Sequence, residues 1–279
     1  MGTIDAARSF SRRDFLRLAG LGLIGSLLPF SLVDSAEAEA SSQLGRIIDP
    51  TIQLFNQPSF HAKQIGTAWK DHLYTISDVT VGDQDPPYNR VWYHLEGYGY
   101  AHSGSIQPVE VHLNPAAGSI LASGQLGEVT VPYTDARKVL EGPPVVNYRL
   151  YFGTTYWIVS SVKDPAGETW YGILDDRSKS IYYAQAKHIR LVPAAELGLL
   201  SPDVPAADKR IEVYLQHQAV IAYEGSRAVF MTRAATGARF AGGNFSTEPG
   251  NYMTYRKSPS RHMASGDRVS AEGFDLPGV

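Results

Sequence analysis

Two stretches of this chain close in the same way at the same spacing, and that recurrence constrains the fold more than any other feature. Tyr100-Ala101, Ile106 and Val109 find counterparts in Tyr183-Ala184, Ile189 and Val192. Upstream, Trp92-Tyr93 answers to Trp170-Tyr171, and Tyr74-Thr75-Ile76 to Tyr156-Trp157-Ile158, while the connecting loops differ in length. A unit repeated with its length differences confined to loops solves one packing problem twice. Within the first copy the apolar residues come in short runs: Ile52, Leu54 and Phe55, a turn at Gln57-Pro58-Ser59, then Leu73 to Ile76 and Val91-Trp92-Tyr93. These runs read as strands. Sixteen Tyr, 10 Phe and 4 Trp beside 26 Gly and 17 Pro point the same way, so the predicted fold class is mainly β. Each copy is expected to be a small barrel, with Trp92 and Trp170 filling the core because so small a unit has few other ways to bury area.

Several function classes are excluded by what the chain lacks. A net charge of -3 with interspersed signs gives no basic stripe to follow a phosphate backbone, which argues against nucleic acid as a partner. There is no Cys, so no disulfide, thiolate nucleophile or Cys-ligated metal. No His-Glu-x-x-His, Walker or dinucleotide glycine pattern occurs, and no metal or other cofactor is expected. His94, His102 and His112 read as surface positions in turns rather than as converging ligands. Asp175-Asp176, followed by Arg177, Ser178 and Lys179, reads as an ordinary polar hairpin loop.

The first 40 residues read as an address. Ser11-Arg12-Arg13-Asp14-Phe15-Leu16-Arg17 matches the twin-arginine export pattern, with Arg12 and Arg13 as its recognition pair. A moderately apolar stretch follows from Leu18 to Val33, interrupted by Gly20, Gly22, Gly25 and Pro29, which suits a removable signal helix better than a permanent span. Ala36-Glu37-Ala38 and Ala38-Glu39-Ala40 offer cleavage sites. The expectation is passage through the twin-arginine translocase and an extracytoplasmic location in the cell envelope.

Residues 44–110 resemble a bacterial SH3-like module, and residues 126–192 resemble it more loosely. A Pro-rich stretch, 193–208, reads as a linker. Beyond it Ile211, Val213 and Leu215 alternate, Gln216-His217-Gln218 turns the chain, Ala219 to Tyr223 and Arg227 to Thr232 give two more strands, and Ala235-Thr236-Gly237 follows. This order, with a turn at Thr247-Glu248-Pro249-Gly250 and a strand from Tyr252 to Lys257, is similar to the opening of an L,D-transpeptidase catalytic domain. The similarity covers 209–279 and implies the first half of a β-sandwich, with Met253 and Met263 in its core. It implies peptidoglycan stem peptides as partners and a donor-peptide groove bordered by Tyr255, Arg261 and His262, where Arg261 pairs with a stem carboxylate. By residue type alone, Arg261 and His262 read as a solvated turn. The family's Ser-His-Gly-Cys-x-Asn motif, which carries nucleophile and base, has no counterpart here, so no catalytic residue is assigned and the chain is expected to be truncated and inactive. Two readings stay open: a transpeptidase-family protein, or a non-catalytic peptidoglycan-binding protein acting through its SH3-like modules.

Overall fold

The computed structural model describes residues 43–84, 89–237, 239–240, 243–255, 257–258, 260–265 and 274–276. The expected export signal, with Arg12 and Arg13, lies outside them. The protein is mainly β, built from antiparallel sheets and short 3-10 turns. Residues 198–255 form one compact unit, and residues 43–197 form another together with the described residues after 256.

In the larger unit the repeat seen in the sequence is a repeat of topology. The first copy comprises β1 (Leu44–Ile47), β2 (Thr51–Phe55), β3 (Gln64–Trp69), β4 (Leu73–Val81), β5 (Val91–Leu95), β6 (Gly99–His102), a 3-10 turn at Ser103–Ser105 and β7 (Ile106–Val109), in the sheet order β3-β2-β6-β5-β4-β1-β7. The second has β8 (Gln125–Val129), β9 (Tyr133–Ala136), β10 (Tyr148–Tyr151), β11 (Thr155–Lys163), β12 (Thr169–Leu174), β13 (Ile181–Gln185), a 3-10 turn at Ala186–His188 and β14 (Ile189–Leu191). Its sheet runs β13-β12-β11-β8-β14, strand for strand the order β6-β5-β4-β1-β7, and the β9–β10 hairpin meets β13 through an Arg137–Tyr183 bridge where β2 meets β6 through Phe55 and Tyr100.

The register repeats too. Ile76 faces Leu95 as Ile158 faces Ile173, and a bulge follows each, between Ile76 and Asp78 and between Ile158 and Ser160. Such a bulge bends the strand so that one sheet can curl over its own core. Close approach of the first strand to the core demands glycine in both copies: a Cβ on Gly45 would lie 2.7 Å from Ile106 Cγ2, and one on Gly127 would lie 2.6 Å from Ile189 Cγ2. Around these glycines Ile47, Leu54, Leu95 and Ile106 fill one core, and Val129, Ile158, Tyr171 and Ile189 fill the other. Trp92 and Trp170 are both buried, as the sequence leads one to expect.

A shared ion-pair network locks the two copies together. The Asp71 carboxylate, just before β4, accepts from Arg46 Nη1 at 2.7 Å and from Arg149 Nη1 of the second copy at 3.0 Å. Arg149 also forks onto Asp135 at 2.8 and 3.1 Å, and its guanidinium lies 4.2 Å over the Tyr133 ring. Arg46 donates to Gln107 at 2.7 Å and stacks 4.0 Å over Tyr151 of the second copy. Planar guanidinium groups with two faces and a fork of donors suit this bridging role, which a lysine could not fill.

In the smaller unit the expected meander is present as β15 (Lys209–Tyr214), β16 (Ala219–Glu224) and β17 (Arg227–Arg233). One face buries Ala219, Ile221 and Tyr223, while the other leaves Ile211, Val213 and Phe230 exposed. Two expectations are corrected here. Tyr252 to Tyr255 and Lys257 form no strand, since they have no ladder partner among the described residues and an isolated strand is not stable. Met253 is accordingly 88% exposed rather than in a core. The side chain of Met263 lies outside the described atoms.

Candidate functional sites

The first copy carries an aromatic-floored groove. The β2–β3 hairpin reverses at Gln57 to Ala62, and its tip is pinned: the Ser59 hydroxyl donates to the Asp83 carboxylate, and the His61 N–H donates to Ser59 Oγ at 3.0 Å. The loop after β4 can reach that tip because residue 82 is glycine, whose Cβ would otherwise lie 2.2 Å from the Pro58 carbonyl oxygen and 2.5 Å from Trp92 Nε1. Phe60, left 45% exposed, packs its ring 4.7 Å from Trp92 and 5.2 Å from His102. The His102 ring has one tautomer: Nε2–H donates to the Asn89 carbonyl at 2.9 Å while Nδ1 accepts from Gly104 N–H at 3.3 Å. Beside this cluster opens a cavity of about 500 Å³ whose polar wall includes Asp49, Gln53, Gln64 and Thr67. Aromatic floor and amide or carboxylate wall together suit a polar ligand with an apolar face.

The second copy treats the same place differently. Arg137 stands where Phe55 stands and lies 5.0 Å over the Trp170 ring. Asp164 stands where Gly82 stands and accepts from Trp170 Nε1 at 3.1 Å, whereas Trp92 Nε1 has no partner among the described residues.

At the far end of the second copy a cavity of about 330 Å³ lies between the β9–β10 hairpin, β11 and the β12–β13 turn. Tyr148, Tyr156, Trp157 and Tyr182 wall it, and Asp175, Asp176 and Lys179 line it from the turn. Burial pushes the Tyr156 phenol up to about 12, so it is a neutral group at any physiological pH. The turn is organised by Asp175, whose Oδ1 accepts from the N–H groups of Arg177 at 3.1 Å and Ser178 at 2.5 Å. Its Oδ2 is bonded to Nδ1 of His262, both side chains being 3% exposed. Burial by itself raises the Asp175 carboxyl, but the Ser178 N–H and His262 outweigh it and hold the group below its ordinary value. The segment carrying His262 is also held by its main chain, since the His262 N–H donates to Asp176 Oδ1 at 2.7 Å. Its imidazole stands edge-on to Tyr148, with centroids 5.8 Å apart.

The residues singled out by sequence separate. His262 and Arg261 meet the second copy, Arg261 lying 3.8 Å from Asp176. Tyr255 belongs to the smaller unit and is 97% exposed. The solvated-turn reading of His262 is corrected: the residue is buried, because Asp175 gives its imidazole a charged partner away from water. Asp175-Asp176 do lie in a hairpin loop as expected, between β12 and β13, but Asp175 is buried rather than solvated. His94 and His102 lie within β5 and β6 rather than in turns, and His94 Nδ1 is 2.7 Å from Ser77 Oγ. No group of three or more potential metal ligands occurs among the described residues. In the smaller unit Gln218 and Thr236 clasp one another: Gln218 Nε2 donates to Thr236 Oγ1 at 2.7 Å, and Thr236 N–H donates to Gln218 Oε1 at 2.9 Å. Sequence reasoning missed Phe60 and Asp175. An exposed phenylalanine beside a Pro-Ser turn was a visible signal for the first; the second depends on a contact between residues 87 apart.

The class these observations define is a mainly β protein with two topologically equivalent antiparallel modules in one compact unit, followed in sequence by a three-stranded meander unit. Comparison with protein-family models and with curated proteins finds no match to this chain.

Proposed function

We propose that this protein is an exported peptidoglycan-binding component of the cell envelope, and that its paired SH3-like modules hold wall material. The observation that carries the reading is the groove of the first module, where Phe60 is kept at the surface over a buried Trp92 beside a polar wall. Stem peptides and glycan offer amides and hydroxyls around small apolar faces, which such a wall and floor complement. Tandem modules fixed by Asp71 and Arg149 present two surfaces at constant spacing, so a second contact adds avidity without further ordering cost. The expected result is that the full chain pellets with purified peptidoglycan and is released by soluble muropeptides. A chain that stays in the supernatant at all peptidoglycan concentrations defeats the proposal.

The second reading, transpeptidase ancestry, is favoured by the clasp between Gln218 and Thr236, two residues of the family-like succession, and by Gly237 at φ 75° against the Phe245 carbonyl. With no cysteine the chain itself supplies no thiolate for acyl transfer. Incubation with a tetrapeptide donor is expected to release no D-alanine; measurable release restores the enzyme reading.

A further inference from the structure

We propose that the cavity at the far end of the second module is a recognition site for a basic side chain on an extended peptide, and that His262, which lines the cavity together with Ser258 and Ser260, engages its carboxylates as an internal ligand. The site is built rather than incidental. Its wall is aromatic and its turn carries two carboxylates, one buried and one at the mouth, and each takes a different part of the same segment: Asp175 the imidazole, Asp176 the main-chain N–H. Recognition of a side chain and of the adjoining amide by neighbouring carboxylates is how an extended peptide is read, rather than an isolated cation. Arg261 beside Asp176 extends the acidic-to-basic match to a second residue. In the first module the corresponding β5–β6 connection is a short turn through Gly97, and Tyr98 packs 4.8 Å from Tyr74, the counterpart of Tyr156. The longer turn of the second module, from Asp175 to Ser180, is the addition that makes the pocket.

The Ser258 hydroxyl is committed to the Ser260 carbonyl at 2.6 Å, which keeps the segment compact. A tethered occupant competes at millimolar effective concentration, so an external peptide gains access only when it binds more tightly or when the tether loosens. The site is separate from the groove assigned to wall binding, and neither assignment depends on the other.

The test uses the full chain and a synthetic peptide, Ser-Pro-Ser-Arg-His, with Ser-Pro-Ser-Glu-Glu as its acidic counterpart, followed by calorimetry. Wild-type protein is expected to take up the basic peptide at least tenfold more weakly than His262→Ala, in which the Asp175 carboxylate has lost its internal partner. Adding Asp175→Asn to His262→Ala is expected to cancel the gain, and the acidic peptide is expected to bind none of the three. A folded His262→Ala that binds no better than wild type, or binds equally well without the Asp175 carboxylate, overturns the proposal. Wild-type protein gives a reading that needs no substitution: at excess basic peptide, hydrogen exchange of the His262 amide is expected to accelerate several-fold, and unchanged exchange at saturating peptide also overturns it. Peptidoglycan sedimentation is scored separately, so loss of the wall-binding reading and loss of this one are distinguishable.

Discussion

Replacing Asp71 by Asn should uncouple the two modules. The substitution keeps the shape of the side chain and removes the charge that both Arg46 and Arg149 use, at 2.7 and 3.0 Å. The two arginines are not equally affected. Arg149 is 35% exposed and retains its fork on Asp135, so its loss is small. Arg46 is 6% exposed and keeps only Gln107 and the Tyr151 face, so it becomes a buried cation without a carboxylate. Breaking a buried pair from one side costs about 3–5 kcal/mol when burial is complete. With the neutral contacts that remain, Asp71→Asn is expected to cost about 2–3 kcal/mol, or roughly 4–12 °C in Tm for a unit of this size. Removing both ends with Arg46→Met and Asp71→Asn should cost less than the sum of the single changes by at least about 1 kcal/mol, since no buried charge is stranded. Chemical denaturation of the four proteins measures this directly. The single mutant is also expected to broaden or split the transition, because the network fixes one module on the other. A loss under about 0.5 kcal/mol, typical of a solvent-exposed pair, would refute the reasoning.

Asp164→Ala removes an acceptor used by Trp170 Nε1 and by the N–H groups of Ala166 and Glu168, and is expected to lower stability by about 1–3 kcal/mol in a urea melt. Gly127→Ala puts a methyl group 2.6 Å from Ile189 Cγ2 and 2.8 Å from Ile158 Cγ1, so a loss of about 1–3 kcal/mol is expected, with Gly45→Ala alike. Acid should free the His262 segment. The folded-state value of Asp175 lies below its unfolded value, so its contribution is full above about pH 4 and disappears as pH falls through the folded-state value. Protection of the His262 amide, corrected for intrinsic exchange, is expected to drop in that range in wild type and to show no such step in Asp175→Asn.

What could be read from sequence was what depends on local order. The strands around Ile52 to Phe55, Leu73 to Ile76 and Val91 to Tyr93, the repeated spacing and the meander follow from alternation and turn residues, and Tyr74-Thr75-Ile76 and Tyr156-Trp157-Ile158 do occupy matching registers, whereas the β9–β10 hairpin carried no such signal. The Leu44-Gly45 and Leu126-Gly127 pairs carried a further signal of the repeat, legible in retrospect because each glycine sits under the same two isoleucines. Long-range pairing was not legible. Asp175 and His262 are each unremarkable in their own windows, and only the folded turn of the second module makes one the buried partner of the other. Tyr252 to Tyr255 failed in the opposite sense: its apolar residues suggested a strand, but a strand exists only where a neighbour completes its hydrogen bonds.

The most direct test of the account is co-sedimentation of wild-type protein and Phe60→Ala with purified peptidoglycan at matched concentrations. Phe60 is partly exposed and its loss leaves Trp92 and the strand pairings of the module in place, so the variant should remain folded. Wild type is expected to pellet and the variant to bind at least about tenfold more weakly, the usual consequence of removing an aromatic anchor. Equal retention of the two proteins, or retention of neither, contradicts the assignment of wall binding to this groove.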